Sequence, residues 1–323
     1  MKKGIISVAA ILLTHVFLAQ PALPWGSATH AYIMDHIGKT AYWKNLNEIY
    51  GSMAPDMFNL MFEPQLLDVR EYMWEQTHRH PNFMKVWDAA HWWGYQKPLA
   101  YGFVSHNDSW AADFTAHHRS RLYWINGYVI VKAHLLEAIF DLTSFLEDQF
   151  GIIISEEAAI ELWHNLVEVA GDIIIWRNDH LIGEKIFLAA QKRSNAFQQL
   201  LIDAYANDLA NNFPLKIGDF TEASAFLVNK EIEFQNLMKD YGGILALNNE
   251  DNIIRAFAVF AAELYGPQLG IHPSDPRYGD LITQAENLLR ISLLFIQNDY
   301  MREINRTTKF VKIEMLAHWI FYF

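Results

Sequence analysis

Over most of its length the chain consists of long stretches whose apolar residues recur every three to four positions, as in 128–150, 156–175, 181–209 and 281–295. A side chain returns to the same face of an α-helix after about 3.6 residues. This spacing therefore lays an apolar stripe along each segment and predicts an all-α fold whose stripes bury one another. Gly, Pro, Asn and Asp cluster at 211–218, 241–243, 248–252 and 266–279, where turns are expected. Neither a fixed-period repeat nor a low-complexity stretch is visible.

Of the 323 residues, 52% are apolar, so there is ample material for a large core, and a disordered or collagen-like chain is excluded. The absence of cysteine excludes disulfide scaffolds, thiolate catalysis and Cys-ligated metal sites. Lys2 and Lys3 precede the apolar run 4–19 and a turn-forming stretch, the pattern of a secretory signal peptide over 1–24. Ala22 is the expected exit, Ala19 a less well-spaced one, and an uncleaved amphipathic anchor is the alternative. Export to a periplasm or the exterior is the expectation. No uncharged apolar run of spanning length occurs in the body. Residues 25–184 are expected to form a catalytic domain, with 185–323 a C-terminal helical region packed on it; its last segment, 309–323, reads as a docking helix.

Eleven of the fourteen histidines lie between His30 and His180, which places the chemistry in the front half. Imidazoles with carboxylates and no thiolate suit zinc and its neighbours. In the stretch 162–172, His164, Glu168 and Asp172 fall at i, i+4 and i+8, one polar stripe among apolar neighbours. A half-buried charge needs a partner or a metal, and His164 with Glu168 could grip one ion or simply hydrogen-bond across a turn. In 105–118, His106, Asp113 and His117 would share a helix face. A regular helix, however, would separate the Cα atoms of His106 and Asp113 by about 10 Å, too far to share an ion comfortably. The chain is therefore expected to leave regular helix between Asn107 and Trp110. Weaker ligand-rich pieces are Trp25-Gly26-Ser27-Ala28-Thr29-His30, Ala54-Pro55-Asp56, and Thr77-His78-Arg79-His80-Pro81.

Taken in order, these pieces resemble the zinc-dependent phospholipase C superfamily, which includes single-strand nucleases and the catalytic domain of glycosylphosphatidylinositol-specific phospholipase D. The resemblance covers about residues 25–172. It implies an all-helical bundle holding up to three zinc ions and hydrolysing phosphodiesters. Position by position, Trp25 and His30 match an opening in which a terminal amine and carbonyl bind one zinc. Asp56 matches a Pro-Asp ligand, and His78, with His80 as rival, the following histidine. His106, Asp113 and His117 match the central helix, whose Asp bridges two metals, and His164 and Glu168 the final pair. Asp172 would be a supporting partner or a further ligand. The family spaces the central His and Asp four apart, whereas here three more residues intervene, and 123–154 reads as an inserted helical excursion.

On this resemblance Asp113 and Asp56 are the catalytic carboxylates, Asp113 bridging ions and Asp56 orienting or deprotonating the attacking water. The substrate is expected to be a phospholipid or another phosphodiester. Acidic residues outnumber basic ones 37 to 25, the formal charge is −12, and loss of Lys2 and Lys3 with the leader makes it two units more negative. No basic run exists to track a polynucleotide, so no stable nucleic-acid partner is expected. The run His91-Trp92-Trp93-Gly94-Tyr95 and Trp110 would either meet a membrane surface or sit in the core. A single-strand nuclease and a catalytically inactive metal-binding helical module are the competing readings.

Overall fold

The computed structural model describes residues 26–323 apart from Trp93. The leader 1–24 and the ligand expectation on Trp25 lie outside the described residues. These residues form fifteen α-helices and three short 3-10 turns, and no strand occurs among them. In chain order the helices are α1 (Ser27–Ile37), α2 (Tyr42–Met53), α3 (Leu67–His78), α4 (Met84–Ala89), α5 (Gln96–His106), α6 (Ala112–His117), α7 (Tyr128–Phe140) and α8 (Leu142–Phe150). There follow α9 (Glu156–Asn178), α10 (Ile182–Lys192), α11 (Ala196–Asn212), α12 (Phe220–Leu245), α13 (Glu250–Tyr265), α14 (Tyr278–Ile296) and α15 (Tyr300–Ala317). Among the described residues, no helix is long and apolar enough to cross a membrane.

The all-α expectation holds, with local corrections. The stretch 128–150 breaks at Asp141, whose φ of 42° ends α7 while its side chain accepts from the Ser144 N–H to start α8. The stretch 181–209 breaks at Arg193, where the backbone turns extended and the guanidinium reaches Glu231 at 2.5 and 2.7 Å. The turn expected at 241–243 is instead the interior of α12. A Cβ on Gly242 would lie 2.7 Å from the Phe187 nitrogen and 2.8 Å from the Gly183 carbonyl oxygen, so this glycine serves a close helix crossing with α10.

Helix α9 runs through the middle and packs against α1, α7 and α14. Ser155 caps it by accepting from the Ala158 N–H, and Glu156 and Glu157 sit in its first turn, where acids suit the helix dipole. From Trp163 to Trp176 most of its residues are buried, polar His164, Glu168 and Asp172 included.

The second scaffold contact that matters for chemistry is between α2 and α5. A Cβ on Gly51 would come within 2.2 Å of the Leu99 oxygen, and one on Gly102 within 2.0 Å of the Glu48 oxygen. The two glycines let the backbones touch, and this brings the Ser52 carbonyl within 2.7 Å of His106 Nδ1.

The helices after residue 184 are packed directly on those before it. Glu231 of α12 accepts from Tyr50 of α2 at 2.8 Å as well as from Arg193, and Glu303 of α15 accepts from Ser120, Arg121 and Leu122 at 3.0, 2.6 and 2.7 Å. The segment from 309 belongs to α15, which ends at Ala317. Trp110 is core: it is buried, stacked on His318 with ring centroids 4.2 Å apart. Trp92 and Tyr95 are exposed.

Candidate metal centre

Five elements deliver side chains to one buried region. His30 comes from α1, Asp56 from the 3-10 turn Ala54–Phe58, His78 from the end of α3, His106 from the end of α5 and Asp113 from α6. The expected break between α5 and α6 is present: α5 stops at His106 and α6 starts at Ala112. Asn107 shapes the turn, its Oδ1 accepting from the N–H groups of Ser109 and Trp110 at 3.0 and 2.9 Å. The chain thereby folds back and sets His106 Nε2 2.9 Å from Asp113 Oδ2.

The two oxygens of Asp113 face different partners. Oδ1 lies 3.0 Å from His30 Nε2, while Oδ2 lies 2.9 Å from His106 Nε2 and 3.8 Å from His78 Nε2. Asp56 Oδ1 sits 3.4 Å from His78 Nε2 and 3.5 Å from His106 Nε2. The ligand atoms of His30, His106 and Asp113 form one group that could hold a metal ion, those of Asp56, His78 and His106 a second, and those of His117, His164 and Glu168 a third.

Three observations test whether these groups fit a cation. First, tetrahedral ligands about 2.0–2.1 Å from zinc lie about 3.3 Å from one another, within the range of the separations above. Second, both Asp113 oxygens, His30 Nε2, His117 Nε2 and Glu168 Oε2 are buried without a hydrogen-bond partner. His30 Nε2 and Asp113 Oδ1 lie 3.0 Å apart, as an ion pair rather than a formed hydrogen bond. Buried polar atoms are otherwise nearly always paired, so atoms that converge unpaired point at something between them.

Third, the outward nitrogens are fixed. His106 Nδ1 can only donate to the Ser52 carbonyl, and His78 Nδ1 donates to the Trp74 carbonyl at 3.2 Å and lies 2.8 Å from Thr77 Oγ1. His117 Nδ1 donates to Asp108 Oδ1 at 3.1 Å. Such outer bonds orient metal-binding imidazoles and leave Nε2 to the ion.

Electrostatics agrees. Burial pushes the Glu168 carboxyl well above the usual range, and the negative charges of Asp56, Asp113, Glu161 and Asp172 push it further. Burial also raises Glu161, to about 7, with His117 and Arg70 pulling the other way. At Asp113 and Asp56 burial is outweighed by the neighbouring histidines, chiefly His106, and both stay below the ordinary value. Burial disfavours a charged His106, yet Asp113 and Asp56 hold its pKa well above 6.5. Without a cation, protons must supply the positive charge that this many buried acids require; a divalent ion does so without them.

His78 lies in the cluster, whereas its rival His80 is exposed, with its backbone N–H on Ser109 Oγ. His164 and Glu168 meet at 2.7 Å. Asp172 is in none of the three groups. It accepts from the Ala28 and Thr29 N–H groups at 2.8 Å each, from Thr29 Oγ1 at 2.7 Å and from Tyr241 at 2.5 Å, capping α1 from a distant helix.

Three groups beside the site, two of them buried and Glu161 half-buried, carry no distinct signal in the sequence. Glu161 lies one turn before His164 on the same stripe, and the spacing alone hints at it. Arg70 is buried with Nε and Nη2 unpartnered. Asp108 lies in the extra residues between His106 and Asp113 and accepts from both His117 and His118 at 3.1 Å.

Burial works against the Asp108 carboxylate, but His117 and His118 hold its pKa down at about 2 against an ordinary 3.8. Because the folded value is the lower one, its stabilisation is complete above about pH 4 and lost as pH falls towards 2. Asp108→Asn in the metal-free protein is expected to cost roughly 2 kcal/mol at pH 7 and little at pH 2, read by denaturant titration. With metal, the same variant should weaken the ion at His117, His164 and Glu168 about 10–100-fold in a chelator-competition titration.

Comparison with protein-family models, with curated proteins and with solved structures gives no match.

Proposed function

We propose that the protein is an exported zinc-dependent phosphodiester hydrolase acting on phospholipid headgroups, as its resemblance to the zinc-dependent phospholipase C superfamily implies. The observation that carries this reading is Asp113, whose two carboxylate oxygens face different imidazoles, His30 at 3.0 Å and His106 at 2.9 Å. That is the arrangement by which one carboxylate serves two neighbouring ions. Imidazole and carboxylate donors without thiolate favour zinc.

On this reading His30 and Asp113 hold one ion, with Trp25 as the further ligand the resemblance implies. Asp56, His78, His106 and Asp113 hold a second, and His117, His164 and Glu168 a third. Divalent ions held there would acidify water near neutral pH and polarise the phosphodiester oxygens. Asp56, kept ionised by His106 and His78 despite its burial, orients the attacking water and accepts its proton. Asp113 stays a carboxylate throughout. The side chains of Ser52, Thr77 and Asp108 do not react; their segments orient the imidazoles.

The acidic chain disfavours a polynucleotide substrate. Zinc-loaded protein is expected to release phosphorylated headgroup from phosphatidylcholine vesicles, to lose that activity on chelation and to regain it with zinc. Cleavage of single-stranded DNA with no lipid hydrolysis would replace this reading by the nuclease, and three tightly held ions with neither activity would replace it by the inactive module.

A further inference from the structure

An apolar cavity adjoins the candidate cation sites. It measures about 170 Å³ and lies among α8, α9, α13 and α14. Its walls are almost wholly apolar, Leu146 and Phe150 from α8, Leu162 from α9, Phe257 from α13 and Leu281 and Leu288 from α14. Its lining also includes Asp56 and Glu168, members of two different ion-holding groups. Any molecule filling the cavity therefore has one end at the candidate cation sites and the other among leucines and phenylalanines. A hydrophobic wall beside cation sites selects an anionic head on a hydrocarbon tail. Leu162 and Leu288 remain half-buried, so protein does not cover them fully.

We propose that this cavity is the site for the hydrocarbon chain of the substrate, with the phosphate lying at the Asp56 and Glu168 end. This rests on the hydrolase reading above and narrows it. The enzyme would act on phosphodiesters that carry an apolar chain, drawing the chain between α8, α9, α13 and α14. The excursion 123–154, which contributes α8, and the C-terminal α13 and α14 then acquire a common role, since together they build three of the four walls.

The test uses zinc-loaded protein and two series of probes below their micelle concentrations. In calorimetric titration, butyl, octyl and dodecyl phosphate are expected to bind one per chain. Affinity should rise by up to about fourfold per methylene until the cavity is full, since each buried methylene contributes that much. Ala285→Phe, which places a ring on the cavity wall, should flatten the dependence. The unmodified protein's own series carries the test if that variant does not fold. Equal affinity for all three chains, or binding only as micelles form, overturns the proposal.

The second series, methyl to octyl p-nitrophenyl phosphodiesters, separates this inference from the reading beneath it. Hydrolysis of every member at equal kcat/KM keeps the hydrolase and overturns the chain site. Chain-dependent binding of the alkyl phosphates without hydrolysis of any diester upholds the chain site and overturns the hydrolase.

Discussion

Asp113→Asn is expected to remove at least one ion and to reduce kcat/KM on a chromogenic phosphodiester by about 10³-fold or more. The substitution barely changes shape, so the effect isolates charge and lone pairs. An aspartate offers an anionic oxygen to His30 on one side and to His106 and His78 on the other. An asparagine offers one neutral oxygen and, where the other stood, an NH2 with no lone pair for a cation. Losing one of two cooperating ions removes several kcal/mol of transition-state stabilisation, and about 4 kcal/mol corresponds to the stated factor. Elemental analysis and steady-state kinetics on the same preparation check it. Full metal content in the variant would remove Asp113 from the ligand set.

Asp172→Ala carries the largest expected effect on stability, about 3–5 kcal/mol. The carboxylate is completely buried and accepts from four donors, two of them backbone N–H groups at the start of α1. Truncation leaves the Ala28 N–H and the Tyr241 hydroxyl buried without an acceptor, while Thr29 keeps its N–H on the Gly26 carbonyl at 2.9 Å and its hydroxyl 2.7 Å from that of Tyr300. Each orphaned group costs about 1–3 kcal/mol before relaxation, and the lost packing of the carboxyl adds to it. The same bonds set the start of α1, and His30 follows Thr29 directly. The variant should therefore unfold at lower urea with an unchanged m-value, and should also hold its ion at His30 more weakly. A midpoint within experimental error of the parent's would show that α1 does not depend on this cap.

The helical class and much of the candidate site were legible because both rest on local spacing. His164 and Glu168 are four apart on α9, and the pair is made where the stripe puts it. The break after His106 could be anticipated because a continuous helix would hold His106 and Asp113 apart, and the backbone turns there. Spacing misled where a residue type has two uses. Glycine at 242 signals a turn, yet here it admits a neighbouring helix. Asp113 and His117, four apart, share α6 and fall in different ligand groups, His117 with His164 and Glu168.

What could not be read from the sequence depends on contacts distant along the chain. Asp172 was expected to support or join the ligands, but its partners Ala28, Thr29 and Tyr241 are far away in sequence, so no local pattern announces a cap. Asp108 sits in an irregular turn with no periodicity to betray its direction. The cavity is assembled from α8, α9, α13 and α14, and only packing brings them together.

The central claim is that this one buried region of histidines and carboxylates holds a set of divalent ions. Its most direct test is the zinc content of the purified, zinc-saturated and dialysed protein, measured together with anomalous scattering at the zinc edge. Three ions per chain are expected, two of them flanking Asp113 and one among His117, His164 and Glu168. A metal-free protein that stays folded and takes up no zinc, or ions bound elsewhere on the surface, would contradict the account.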